Sequence, residues 1–95
     1  MEKIDLFKIS LNEKNAPLSL SAALKALWYD AKGNWDAAHE LAQEEEGFAG
    51  NWVHAYLHRK EGDHFNASYW YSRANRPVCK LSLEEEWESL VKALI

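Results

Sequence analysis

An eight-residue stretch of this chain is echoed further on, with its glycine, the small polar residue after it and its last alanine kept in register. Ala31-Lys32-Gly33-Asn34-Trp35-Asp36-Ala37-Ala38 returns as Lys60-Glu61-Gly62-Asp63-His64-Phe65-Asn66-Ala67, shifted by 29 residues. Each copy follows one helix-like apolar stripe and precedes another, so the chain reads as two helix–turn–helix units. A period of this size marks stacked helical hairpins, because no single hairpin can bury its apolar face alone. The expected fold is all-α and a single domain over 1–95. It has a short irregular arm over 1–16, hairpins over 18–46 and 49–76, and a C-terminal capping helix over 82–94.

Local signals place the elements. Pro17 and Ser19 are start signals for a first helix, along which Leu20, Ala23, Leu24, Leu27, Trp28 and Ala31 recur at helical spacing. Gly33 stops it in the left-handed region, and Asn34 caps a second helix with Trp35, Ala38, Leu41 and Ala42 on its apolar face. Glu44 to Glu46 oppose the helix dipole in its last turn, which predicts fraying before Gly47. A third helix, from about Ala49 or Asn51 to Glu61, carries Trp52, Val53, Tyr56 and Leu57. Gly62 and Asp63 then repeat the stop and the cap. The fourth helix contains Ala67, Tyr69, Trp70, Tyr71 and Ala74 and ends before Pro77. Ser82 with Glu85 forms a capping box for a last helix. Its stripe of Leu83, Trp87, Leu90, Val91 and Leu94 is expected to cover the open end of the stack. In the first sixteen residues, Ile4, Leu6, Ile9 and Leu11 fit neither period, which predicts a packed extended arm or a single helical turn.

Five Trp residues give a small helical core large rings to bury, and Cys79, the only cysteine, allows no intramolecular disulfide. The opening residues lack the basic-then-apolar layout of a secretory signal, and no apolar run reaches the roughly 18 residues of a membrane span. The expected location is cytoplasmic, with no membrane contact. A net charge of −4 disfavours nucleic acid. Charge is uneven, however: from His54 to Lys80 five basic residues face two acidic ones, a local +3 that leaves −7 elsewhere. Such a segment suits an acidic partner, although cations at helix C-termini also answer the macrodipole.

The two units resemble tetratricopeptide-like repeats. In the second, Ala55 holds the small position of the first helix, Gly62-Asp63 the turn, and Ala67, Tyr71 and Ala74 the alanine–aromatic–alanine positions of the second helix. In the first, Ala26, Tyr29, Gly33 and Ala38 match, whereas Ala42 and Glu45 replace the later aromatic and alanine. The stretch from Trp52 to Ala74 also resembles a group of small proteins of this type, a likeness that brings no activity with it. The resemblance implies a scaffold that binds a peptide or protein in a groove formed by the first helix of each pair. Carried onto this chain, that groove is anchored by Trp52, Tyr56 and Arg59.

Three further patterns bear on chemistry. His54 and His58 lie four apart on one helix face, a spacing that can supply two metal ligands. Ala55 stands where a helical metalloprotease motif needs Glu, so that reading fails. Glu61, Asp63, His64 or His39 could complete a site. The expectation is instead a half-buried pair bonded to Tyr71, Ser68 or backbone, with no metal and no cofactor. Asn66, Trp70 and Arg73 share a face of the fourth helix, where an aromatic ring beside Arg can hold a carboxylate. No nucleophile elbow or phosphate loop is present, and no catalytic residue is assigned. The leading expectation is a non-catalytic protein- or peptide-binding module. The alternative is a metal- or small-molecule-binding protein centred on His54 and His58, and a homodimer through the aromatic faces is a third reading.

Overall fold

The computed structural model describes residues 2–95. Six helices follow one another: α1 (Lys3–Ser10), α2 (Ala22–Ala31), α3 (Trp35–Glu44), α4 (Phe48–Glu61), α5 (His64–Arg73) and α6 (Leu83–Leu94). No strand occurs among the described residues. The echoed blocks are the two hairpin turns. Gly33 and Gly62 sit at φ 84° and 89°, where a side chain would be strained. Just beyond them, Asn34 accepts the Ala37 amide and Asp63 the Asn66 amide, each at 3.1 Å. In this way α2 pairs with α3 and α4 with α5, and α4 packs on both helices of the first pair. Ala23, Ala26, Ala38 and Ala55 are wholly buried; their small side chains let the helices approach closely.

The α3–α4 connection is tight. The Glu45 side chain turns back to accept the Ala23 amide at 3.0 Å, so this acid completes the N-terminus of α2, next to the Ser21 cap on Leu24. Helix α3 does end at Glu44, as its acidic last turn implied. The Glu45 carbonyl then lies over the first turn of α4. A Cβ added to Gly50 would stand 1.7 Å from that oxygen. Gly50 is thus required by a close approach and not by a turn.

Three expectations are corrected. Residues 3–10 form a helix and not an irregular arm. Its buried residues are Ile4 and Phe7, whereas Leu6 and Ile9 are exposed; Ile4, Phe7 and Leu11 make a helical stripe once the two exposed residues are set aside. The first hairpin begins at Ala22 and not at 18, because Ser21 supplies the cap and Leu18 is left in solvent. Finally, α6 does not close the end of the stack. It lies against α4 and α2 and carries α1 on its flank. Trp87 Nε1 donates to the Leu27 carbonyl at 2.9 Å and its ring meets Phe7. Lys8 pairs with Glu88. The Ser82–Glu85 capping box that starts α6 is present.

Gly50→Ala should lower the melting temperature, although alanine favours helix by about 1 kcal/mol over glycine. A methyl 1.7 Å from a backbone oxygen that cannot rotate away costs about 3 kcal/mol or more, leaving a net loss of about 2 kcal/mol, a fall of several degrees for a domain of this size. A variant melting at or above wild type would refute the close approach.

Candidate functional site

Helix α4 carries two kinds of polar residue on opposite sides. One side faces α6. There Tyr56 donates to the buried Asp30 at 2.8 Å, and Lys60 reaches the other oxygen of Asp30 at 2.8 Å. Arg59 donates to Glu86 at 2.7 Å and also to the Leu81 carbonyl. Trp52 is buried as well, with the Arg76 guanidinium 4.0 Å from its ring centre. The three expected groove anchors are therefore engaged within the chain itself. What stays open beside them is a cleft of about 650 Å³ edged by Leu11, Lys60 and Trp87.

The other side of α4 faces α3 and α5, and here the structure gathers a cluster. His54 and His58 project towards His39 of α3. The three ring centres lie 4.6, 4.8 and 5.1 Å apart. His54 Nε2 and His39 Nε2 are 2.9 Å apart, one donating and the other accepting. His58 Nδ1 is 2.6 Å from the Glu61 carboxylate, a contact that places the proton on Nδ1 and leaves Nε2 free. Two tryptophans wall the cluster. Trp35 stacks on His39 at 4.8 Å, and Trp70 stacks on His54 at 3.9 Å. Trp35 is itself pinned, its Nε1 donating to the Leu57 carbonyl at 2.9 Å.

These contacts differ from the expected ones. Tyr71 bonds to Glu86 and not to a histidine, and the histidine partners are His39 and Glu61. His54 and His58 are buried and His39 half-buried. Burial, together with the neighbouring His39 and His58, lowers the pKa of His54 to about 4. Burial likewise lowers that of His39, with His58 adding to the effect. Both imidazoles are consequently neutral at pH 7. Among the described residues, two groups bring three metal-donor side chains close together, His39–His54–His58 and His58–Glu61–Asp63.

Trp70 links this cluster to the surface. Arg73 lies 5.4 Å from its ring and 5.7 Å from that of Tyr69, to whose hydroxyl it donates. Asn66 stands apart from the histidines, in a shallow cleft with Phe65 and Tyr69. Of the eight residues singled out from sequence, the structure brings His54, His58, Trp70 and Arg73 together. Two essential members were not among them. In the sequence His39 is one of four candidate third ligands and Trp35 belongs to an apolar stripe; the common signal is their i, i+4 spacing on α3, which matches that of His54 and His58. Burial raises the Cys79 thiol above its ordinary value, the opposite of activation. No family model, curated protein or solved structure matches the chain. No helix among the described residues is long and apolar enough to cross a membrane.

The buried neutral state of His54 predicts an acid-sensitive fold. The unfolded chain takes up its proton near pH 6.5 and the folded chain only near pH 4, so stability falls as pH drops through that window. The full effect is on the order of 3 kcal/mol. Denaturant melts in chelator-containing buffer should show a flatter profile for His54→Gln. Equal slopes would mean that His54 ionises freely in the native protein.

Proposed function

We propose that the chain is a non-catalytic, tetratricopeptide-like recognition module that takes an acidic peptide segment on the outer face of α5. The repeat reading is supported by the 29-residue echo, by the α2–α3 and α4–α5 pairing and by the buried alanines at the helix contacts. The observation that carries the functional reading is Arg73. Its guanidinium lies by the rings of Tyr69 and Trp70, and among the described residues neither it nor Arg76 pairs with a carboxylate. A guanidinium held by aromatic rings keeps its donor fork ordered for a carboxylate.

Phe65, Tyr69 and Arg73 follow one another at four-residue intervals along α5. Phe65 is 91% exposed and Tyr69 52%, which makes a narrow aromatic strip ending in positive charge. An acidic segment with an apolar residue beside the acid would fit that strip. The groove that such scaffolds ordinarily use is taken by α6, so recognition moves to the other side of the second hairpin.

Peptides selected from a random display library should be enriched in Asp and Glu. Tyr69→Ala/Arg73→Ala should weaken their binding by tenfold or more, since aromatic and Arg residues dominate such contacts, and should melt like wild type. Arg59→Ala should instead lose stability, because it leaves the buried Glu86 without its charge partner. Selected peptides without acidic bias, or bound equally by the double variant, would remove the reading.

A further inference from the structure

We propose that His39, His54 and His58 are the protein ligands of a divalent transition-metal ion of the zinc, cobalt and nickel class. This site is independent of the peptide strip and lies behind Trp70, at the junction of α3, α4 and α5.

Geometry carries the assignment. A zinc-class ion is held about 2.0–2.1 Å from each imidazole nitrogen, which puts it about 3 Å from each ring centre. Tetrahedral angles then space the ring centres about 5 Å apart. The observed separations are 4.6, 4.8 and 5.1 Å, and one donor atom from each ring lies within 4.8 Å of the others. The 2.9 Å between the His39 and His54 Nε2 atoms has to open by a few tenths of an ångström. In exchange, the hydrogen bond they share is replaced by two metal bonds, and its proton passes to the Nδ1 of one ring.

The surroundings are those of a metal site. A ligating histidine commonly donates its second nitrogen to a carboxylate, which fixes the tautomer and raises the basicity of the ligating atom. Glu61 stands in that position on His58. The other two rings are held by stacked indoles, Trp35 on His39 and Trp70 on His54. Their orientations are thus set before any ion arrives.

Donor type selects the ion. Three imidazole nitrogens suit zinc and its neighbours, whereas magnesium and calcium demand oxygen. Three protein ligands leave a fourth position, and half-buried His39 is where the cluster meets solvent. Water or an external donor completes the shell there. The competing grouping of His58, Glu61 and Asp63 has two exposed carboxylates on a single helix end; it lacks any ligand from α3 and has no wall of its own.

The full chain, expressed without a histidine tag and stripped with chelator, is titrated with Co²⁺. The expected result is one equivalent bound, with the intense visible absorption of a tetrahedral or five-coordinate site, displaced by Zn²⁺ and unaffected by Mg²⁺. Stoichiometric Zn²⁺ should raise the melting temperature by mass action. His39→Gln should fold, and should lose the absorption and at least a hundredfold in affinity. Glu61→Gln should keep the absorption and weaken binding by 10- to 100-fold. Asp63→Asn, which retains a helix cap, should bind as wild type. Folded wild type without the cobalt absorption would overturn the proposal. So would absorption that survives His39→Gln or disappears in Asp63→Asn, since the ion would then sit at the helix end.

Discussion

The arrangement of this domain depends on a carboxylate with almost no access to water. Glu86 is 1% exposed, and its two oxygens accept from Arg59 of α4 and Tyr71 of α5. One side chain thereby fixes α6 against both helices of the second hairpin. Removing a carboxylate from water costs several kcal/mol, and charge-assisted bonds offset that only when the geometry is satisfied in full. The bond has little tolerance for a shifted register, because a helix moved by one residue would bury an unpaired charge. Asp30 repeats the device between the two hairpins, joined to Tyr56 and Lys60. Burial and these carboxylates together push the phenols of Tyr56 and Tyr71 well above the usual range, so both remain hydrogen-bond donors. Such buried pairs add less to stability than an apolar contact of the same volume, and their contribution is to define one arrangement among several that hydrophobic burial alone would permit.

With α6 fixed on α2 and α4, the second side of α4 is left to meet α3 and α5. There the packing is of a different kind: indole on imidazole, imidazole beside imidazole, guanidinium beside indole. Flat rings stack with little loss of conformational freedom and hold one another at fixed angles. The fold has separated its polar residues by role. Carboxylate pairs secure the face towards α6, and imidazole nitrogens gather on the other face.

Much of the fold could be read from local chemistry. Gly33-Asn34, Gly62-Asp63 and Ser82 with Glu85 each act within a few residues, and each stands where its pattern put it. Helix α1 escaped because Leu6 and Ile9, both exposed, blur the stripe that Ile4 and Phe7 actually use. The seat of α6 escaped for a deeper reason. Glu86 is the third of three consecutive glutamates, a pattern that reads as a solvated face. Only the tertiary approach of Arg59 and Tyr71 distinguishes it from its neighbours. His39 was hidden in the same way: its 15-residue separation from His54 is bridged by the α3–α4 turn, and the tightness of that turn rests on Gly50, which carries no polar signal. Periodicity identifies which face of a helix is buried. It does not identify what lies opposite.

Helix α6 is joined to the hairpin on which it lies by a connection of only nine residues, 74–82. A segment on so short a tether meets its own binding face at an effective concentration in the millimolar range. The face of α2 and α4 therefore behaves as a site permanently supplied with its own ligand. A foreign helix of micromolar affinity at micromolar abundance would spend nearly all its time displaced by the resident one. Only a helix matching the Glu86 carboxylate as well as the apolar stripe could compete with α6 for this face.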